Sequence, residues 1–341
     1  MFGRIFESLY NKVFVNIIVD RSKTTVYVEL CSKTEVIDSA EEVFDSTALT
    51  SDIKEFIAQY SSESPYSYIS ILDTSINQGA IPTCIKNRTS YYQDLSSCIS
   101  RCYDKKWTFY TSQEELYSIE RKYEKVGIDF VFSPFAILAN FFKDKLESDM
   151  ALFILIQDSY ISLCVFSKSQ LLYAQHLDLD NSSDGEDMLM YEDATEDIDI
   201  DIDEGIDLED IDAIEEMDSF DDFGDIEDLD SIEDSDDFLE STDVEEKFNE
   251  EIQEQEMPTH ESDGFNEDYQ RFLLIQSSIN AFYKDEKYEG AFIQNVYMAD
   301  GIGISQDLKR YLEEEMFMDV YTRQLDLPSS LCDMAKLELD S

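Results

Sequence analysis

Residues Ala151–His176 read ALFILIQDSYISLCVFSKSQLLYAQH. Three apolar runs, Ala151–Ile156, Ile161–Phe166 and Leu171–His176, are separated by the polar turns Gln157–Tyr160 and Ser167–Gln170. Short runs rich in Ile, Val, Leu and Phe, bounded by turn residues, predict β-strands. Two short turns in succession predict a meander. An equivalent pattern opens the chain: Val13–Asp20 and Thr24–Leu30 flank Arg21-Ser22-Lys23, and a third run follows at Glu35–Ile37.

Helical and extended patterns alternate after each meander. The first is followed by a helix over Asp52–Tyr60 capped by Thr50 or Ser51, a strand at Tyr68–Leu72, a helix over Asp94–Tyr103 and a strand at Trp107–Tyr110. Ser112 with Glu115 three residues on is a capping-box pattern. It predicts a helix running to Val126, with Gly127 as its stop. A strand at Phe130–Phe132 and a helix from Pro134 to Leu146 follow. After the second meander come a helix over Tyr269–Tyr283, a strand at Gln294–Met298, a turn at Asp300–Gly303, a helix over Gln306–Glu315 and a strand at Val320–Thr322. Two halves of this kind predict an α/β fold of duplicated architecture.

Between the halves the composition changes. From Asp178 to Asp268 there are 42 Asp and Glu against one base, Lys247, whereas the rest of the chain carries 36 acids and 24 bases. Most of the net charge of −53 therefore sits in one segment. A field of that sign repels phosphates, so direct binding of nucleic acid or of anionic lipid is not expected. Such a composition also predicts a disordered segment. Leu208, Ile211, Ile214, Met217, Phe220, Phe223, Ile226, Leu229 and Ile232 recur every three residues within it. A three-residue step drifts about 60° around a helix, so these positions form no single stripe. The tract reads as an acidic-hydrophobic tether or a repeated docking motif. Asp180-Asn181-Ser182-Ser183-Asp184-Gly185 begins like a calcium loop, but the twelfth position would be Tyr191.

Specific residues add a resemblance. Val126-Gly127-Ile128-Asp129 followed by Pro134-Phe135-Ala136-Ile137-Leu138, Ile275-Gln276-Ser277-Ser278-Ile279 with Phe282-Tyr283, and Val296-Tyr297-Met298-Ala299-Asp300-Gly301 occur in that order. Together they resemble the type IV pilus assembly protein M (PilM) family and the related cytoplasmic domain of type II secretion protein L. The resemblance covers about 13–177 and 270–325. It implies an actin-like (ribonuclease H-like) two-lobe fold. The first lobe would span 1–132, the second 133–177 plus 269–330, and the disordered acidic insertion 178–268. Leu274 and Ser277 depart from the family's usual Glu and Arg.

The resemblance also implies where nucleotide would sit. The first phosphate loop would hold Asp20 and Ser22, the second Asp158, and the adenine turn Gly301. All three depart from the family pattern. The first loop lacks its Gly, Tyr160 stands where Gly is usual and should crowd the phosphates, and Asp300 replaces a Gly. The insertion replaces a small subdomain that walls the cleft. No hydrolysis is therefore expected, and no cofactor is required, although ATP remains the ligand that these loops would have held. No Walker A loop or GxGxxG is present.

The function implied is that of a non-catalytic scaffold in a pilus-like, type II secretion-like or DNA-uptake machine. Its partners would be the cytoplasmic tail of an inner-membrane subunit similar to pilus assembly protein N and the assembly ATPase. It would lie in the cytoplasm at the inner-membrane face, held to the membrane through partners. A nucleotide-binding actin-like ATPase and a cell-division or polar adaptor are the alternative classes.

The remaining motifs are modest. The six cysteines form no CxxC pair and predict no metal site, reading as small buried hydrophobes in a reducing compartment. Phe2, Ile5, Phe6, Leu9 and Val13 follow helical spacing. No apolar run approaches a membrane span. His176 near Asp178 resembles an acid–base pair, but no nucleophile motif accompanies it, so a structural role is expected.

Overall fold

A computed structural model describes residues 10–33, 35–179, 261–285, 292–303 and 306–340. The acidic repeat, the calcium-like loop and all of the N-terminal periodic positions except Val13 lie outside the described residues. Val13 itself belongs to the first strand.

The first half forms a five-stranded sheet in the order β3-β2-β1-β4-β8. Its strands are β1 (Lys12–Asp20), β2 (Lys23–Ser32), β3 (Glu35–Phe44), β4 (Tyr66–Leu72) and β8 (Phe130–Phe132). The second half repeats this order as β11-β10-β9-β12-β13. Here the strands are β9 (Ala151–Ile156), β10 (Tyr160–Ser167), β11 (Gln170–Asp178), β12 (Asn295–Asp300) and β13 (Asp319–Gln324). In both sheets the first three strands are antiparallel and the other two join in parallel. Ala151 pairs with Asn295 and Ile156 with Asp300, so the second meander and the strand after the acidic tract share one sheet. This is the duplicated, actin-like arrangement.

Parallel strands reached through crossover helices are covered on both faces. Strand β9 is accordingly buried along its whole length. Its Leu152, Ile154 and Ile156 pack with α5 (Glu261–Lys284) and α6 (Gln306–Glu314), through Ile275, Ile279, Phe282, Leu308 and Leu312. Ala151, Phe153 and Leu155 face the opposite way. Strand β1 divides similarly: Val13, Val15 and Ile17 meet Ile53 and Ile57 of α1 (Ser51–Ser61), while Phe14 and Ile18 face the other lobe. Thr50 is the residue that caps α1, accepting from the Ile53 amide.

Each half ends in a helix that covers the other half's sheet. Helix α4 (Pro134–Phe141) begins at Ser133, whose hydroxyl accepts from Phe135 N, and packs on β9 and β10. It stops at Phe141, five residues before the expected end, where the chain turns toward β9. Helix α7 (Leu327–Asp340) packs on β1, β2 and β4. It lies beyond the last element expected from the sequence. Asn16 of β1 donates Nδ2 to Pro328 O at 2.9 Å and to Cys332 Sγ at 2.7 Å, and accepts from Ser70 Oγ. Lys336 reaches Glu29, a buried carboxylate, at 2.6 Å.

The region 77–112 differs from expectation. Cys98–Tyr103 is strand β6, not part of a helix over Asp94–Tyr103. It pairs antiparallel with β7 (Trp107–Ser112) through a turn in which Asp104 and Lys105 have positive φ. Pairing with the aromatic β7 outweighs the local helical pattern. With β5 (Gln78–Ile81), these strands form a small sheet in the order β5-β7-β6, flanked by the short helix α2 (Lys86–Tyr92). Cys84 and Cys102 are disulfide-bonded across this subdomain, which corrects the reading of all six cysteines as reduced hydrophobes. Cys31, Cys164 and Cys332 are buried.

Helix α3 (Gln113–Lys122) follows Ser112, but the capping box does not form. Glu115 instead accepts from Asn77 N and Nδ2, tying the helix to the small sheet. Gly127 has φ +81° and its amide bonds to Tyr123 O, but α3 ends at Lys122, short of the expected Val126, with Tyr123 as its C-cap. The third strand, expected at Glu35–Ile37, extends to Phe44 because the whole of β2 is available to pair with it.

The helix exchange predicts a specific stability loss. Leu331 is fully buried where α7 meets the first sheet. Leu331→Ala should lower the unfolding free energy by roughly 3 kcal/mol, measured by urea denaturation. A loss under about 1 kcal/mol would mean that α7 does not pin the lobes.

Candidate functional site

Ligand sites in open α/β sheets lie beyond the carboxyl ends of their strands. Here β1, β9, β12 and β13 all end at one cavity of about 700 Å³. Asp20, Asp158 and Gly301 line it, so three of the four expected site residues come together. Ser22 does not; it lies exposed in the β1–β2 turn. Lys23, Thr25, Glu41, Gln157, Gln324 and Asp326 complete the polar wall. Ile18, Ile302, Leu325, Leu327 and Pro328 supply the apolar part.

The two phosphate-type loops bond to one another. The Asp20 carboxylate accepts from Asp158 N at 3.1 Å, from Ser159 N at 3.0 Å and from the Ser159 hydroxyl. Backbone amides of that turn are what such a loop would offer to a phosphate. They are here satisfied by a carboxylate of the chain itself. Burial raises the Asp20 carboxyl above its ordinary value. The Ser159 hydroxyl pulls it down, the Asp158 charge pushes it up, and the two amides pull it down again.

Two expected obstructions are placed differently. Tyr160 does not crowd the cavity; its side chain is buried in the core against His176, with ring centroids 4.9 Å apart. The residue that crowds is Gln157, whose carboxamide occupies the space a Cβ at Gly301 would need. Asp300 does not face a ligand. Its Oδ1 accepts from Ile302 N at 3.1 Å and Gly303 N at 2.7 Å, closing its own turn.

Asp326 is a wall residue that sequence reasoning missed. Its Oδ1 accepts from Ser329 N at 3.0 Å, starting α7. Asp326-Leu327-Pro328 is a helix-start pattern, and it could have revealed both the helix and the wall. Gln157 gave no such signal, because its position over Gly301 depends on two distant strands.

His176 lies in the core, away from this cavity. Its Nδ1 is 2.8 Å from Ser162 Oγ, and Phe135 and Tyr160 flank the ring. Burial lowers its pKa from 6.5 to about 4, with Asp178 opposing the shift. A neutral ring held in the core is a packing group.

Comparison with known proteins places the chain in a family. A family model described as a domain of unknown function, DUF8341, matches residues 152–340, more than half of the chain. The chain belongs to the DUF8341 family. A second model, DUF8569, also a domain of unknown function, matches residues 10–139 of this DUF8341 chain. No curated protein matches its sequence. Among solved structures, a Bacteroides thetaiotaomicron protein with an actin-like ATPase fold is 10% identical, with a TM-score of 0.48 over 96% of this chain and 95% of that one. A PilM–PilN type IV pilus biogenesis complex is also 10% identical, with a TM-score of 0.44 over 91% and 87%. Component A of (R)-2-hydroxyglutaryl-CoA dehydratase from Acidaminococcus fermentans is 9% identical, with a TM-score of 0.35 over 92% of each chain. At such scores the strand order, not the likeness, carries the fold.

The His176 environment predicts a pH dependence. Between about 4 and 6.5 the unfolded chain binds a proton at this ring and the folded one does not. This contribution is present above pH 6.5 and is lost as pH falls toward 4. Over that range wild type should lose up to about 3 kcal/mol more stability than His176→Gln, measured by urea denaturation at each pH. Parallel curves for the two proteins would contradict this.

Proposed function

We propose that this DUF8341 chain is a non-catalytic scaffold on an actin-like fold, serving a pilus-like or type II secretion-like inner-membrane machine. The observation that carries the non-catalytic part is the Asp20 carboxylate bonded to the Asp158 and Ser159 amides. A phosphate entering there would have to displace a partly buried carboxylate and would meet Asp158 and Asp326 in the same wall. Like charges in a partly enclosed cleft disfavour such a ligand. Gln157 over Gly301 narrows the side where the family's adenine turn would lie.

The scaffold part rests on the residues that resemble the PilM family. By that resemblance the chain takes the cytoplasmic tail of an inner-membrane subunit similar to pilus assembly protein N. It links that tail to the assembly ATPase at the cytoplasmic face of the inner membrane. Among the described residues no helix is long and apolar enough to cross a membrane.

Isothermal titration of the full chain with Mg-ATP should show no binding near millimolar concentration. Micromolar affinity would overturn the non-catalytic reading. For the scaffold role, affinity purification from the native cell should recover pilus or secretion inner-membrane subunits. Recovery of division proteins in their place would contradict it.

A further inference from the structure

The two sheets are equivalent in order, but their outer meander strands are treated differently. In the second sheet that strand is β11, which lies beside β5 of the small sheet. Gln170 of β11 donates to Pro82 O, and most of its other residues are at least half-buried. In the first sheet the equivalent strand is β3, ten residues from Glu35 to Phe44. Beyond it no further strand is paired among the described residues. Only Ala40 and Phe44 are shielded.

A long bare edge strand offers unpaired N–H and C=O groups and is normally shortened, covered or charged. Strand β3 is charged with one sign: Glu35, Asp38, Glu41 and Glu42, with no Lys or Arg. It also exposes Val36 at 48%, Ile37 at 55% and Val43 at 52%. The acids explain why a second copy would not pair here, because like charges would face each other across the new ladder. They do not explain three exposed β-branched side chains. A strand that is acidic, apolar and open along one edge is complementary to an extended segment that alternates basic and apolar residues.

We propose that β3 is a docking edge for an extended basic segment of a protein partner, added as a sixth strand to the first sheet. Main-chain bonds along β3 would supply the affinity. Glu35, Asp38 and Glu42, on one face by their register with Ser32, Leu30 and Val26, would select Lys or Arg, and Val36 and Val43 on the opposite face would take the alternate apolar side chains. The edge is separate from the Asp20 cavity except at Glu41, which belongs to both. The inference holds whether or not the scaffold reading does.

The test uses the full chain and an acetylated ten-residue peptide alternating Lys and Val. The acidic tract can also attract such a peptide, so the readout must be local. Hydrogen exchange of the β3 amides should slow when peptide is added. Asp38→Lys/Glu42→Lys should abolish that protection, and Asp38→Asn/Glu42→Gln should weaken it about tenfold. All of these positions are exposed, so near-UV circular dichroism should be unchanged in both variants. Peptide binding with unchanged β3 exchange would overturn the proposal. So would β3 protection that rises with protein concentration in the absence of peptide, which would indicate self-association.

Discussion

The exchange of terminal helices is the constraint on which the rest of the molecule depends. Strands β1 and β9 are apolar on both faces, and one face of each looks toward the other lobe. Neither half covers that face itself. Helix α4 fills it for the second sheet and α7 for the first, and the two helices touch. One apolar cluster therefore runs from Phe14 and Ile18 through Phe135 and Phe142 to Phe153 and Phe166. Asn16 and Glu29 are buried polar groups on this surface, and each is paired with α7, which fixes its register on β1. Burial works against the Lys336 charge, but its bonds to Glu29 and Asp333 outweigh that and hold its pKa above the ordinary value.

The cleft follows from this clamp. Holding the two sheets at a fixed approach brings the ends of β1 and β9 within hydrogen-bond distance, so Asp20 reaches the opposite loop. A turn whose amides would suit an anion is thereby closed by the protein's own carboxylate. Asp326, which starts α7, adds a further acid to the wall. The same helix thus joins the lobes and supplies a carboxylate to the wall of their cleft. Among the described residues no further strand pairs with the outer edge of β3.

Much of this architecture was legible in the sequence because both meanders are strongly patterned. Ala151–Ile156 and Val13–Asp20 are apolar runs of strand length, and Gly127 and Pro134 punctuate the crossover between halves. Asp20, Asp158 and Gly301 were legible only through the family resemblance, which assigns the two phosphate loops and the adenine turn to those positions. Other features depended on contacts between residues far apart in sequence. Cys98–Tyr103 is a strand only because Trp107–Ser112 lies against it. The Cys84–Cys102 pair forms no recognisable motif. Tyr160 was expected in the cleft, yet one position along a strand decides between cleft and core. Helix α7 had its start signal in Asp326-Leu327-Pro328, but its role in covering the first sheet depends on Asn16, more than 300 residues away.

The bond between Asp20 and the β9–β10 turn is the claim on which the functional account turns, and amide NMR addresses it most directly. The Asp158 and Ser159 amide signals should titrate together, with a midpoint above the ordinary aspartate value of 3.8, and Asp20→Asn should abolish the transition. Amide signals that stay flat through that range, or that move equally in the variant, would show that the carboxylate does not hold the loop and that the cleft is open to an outside anion.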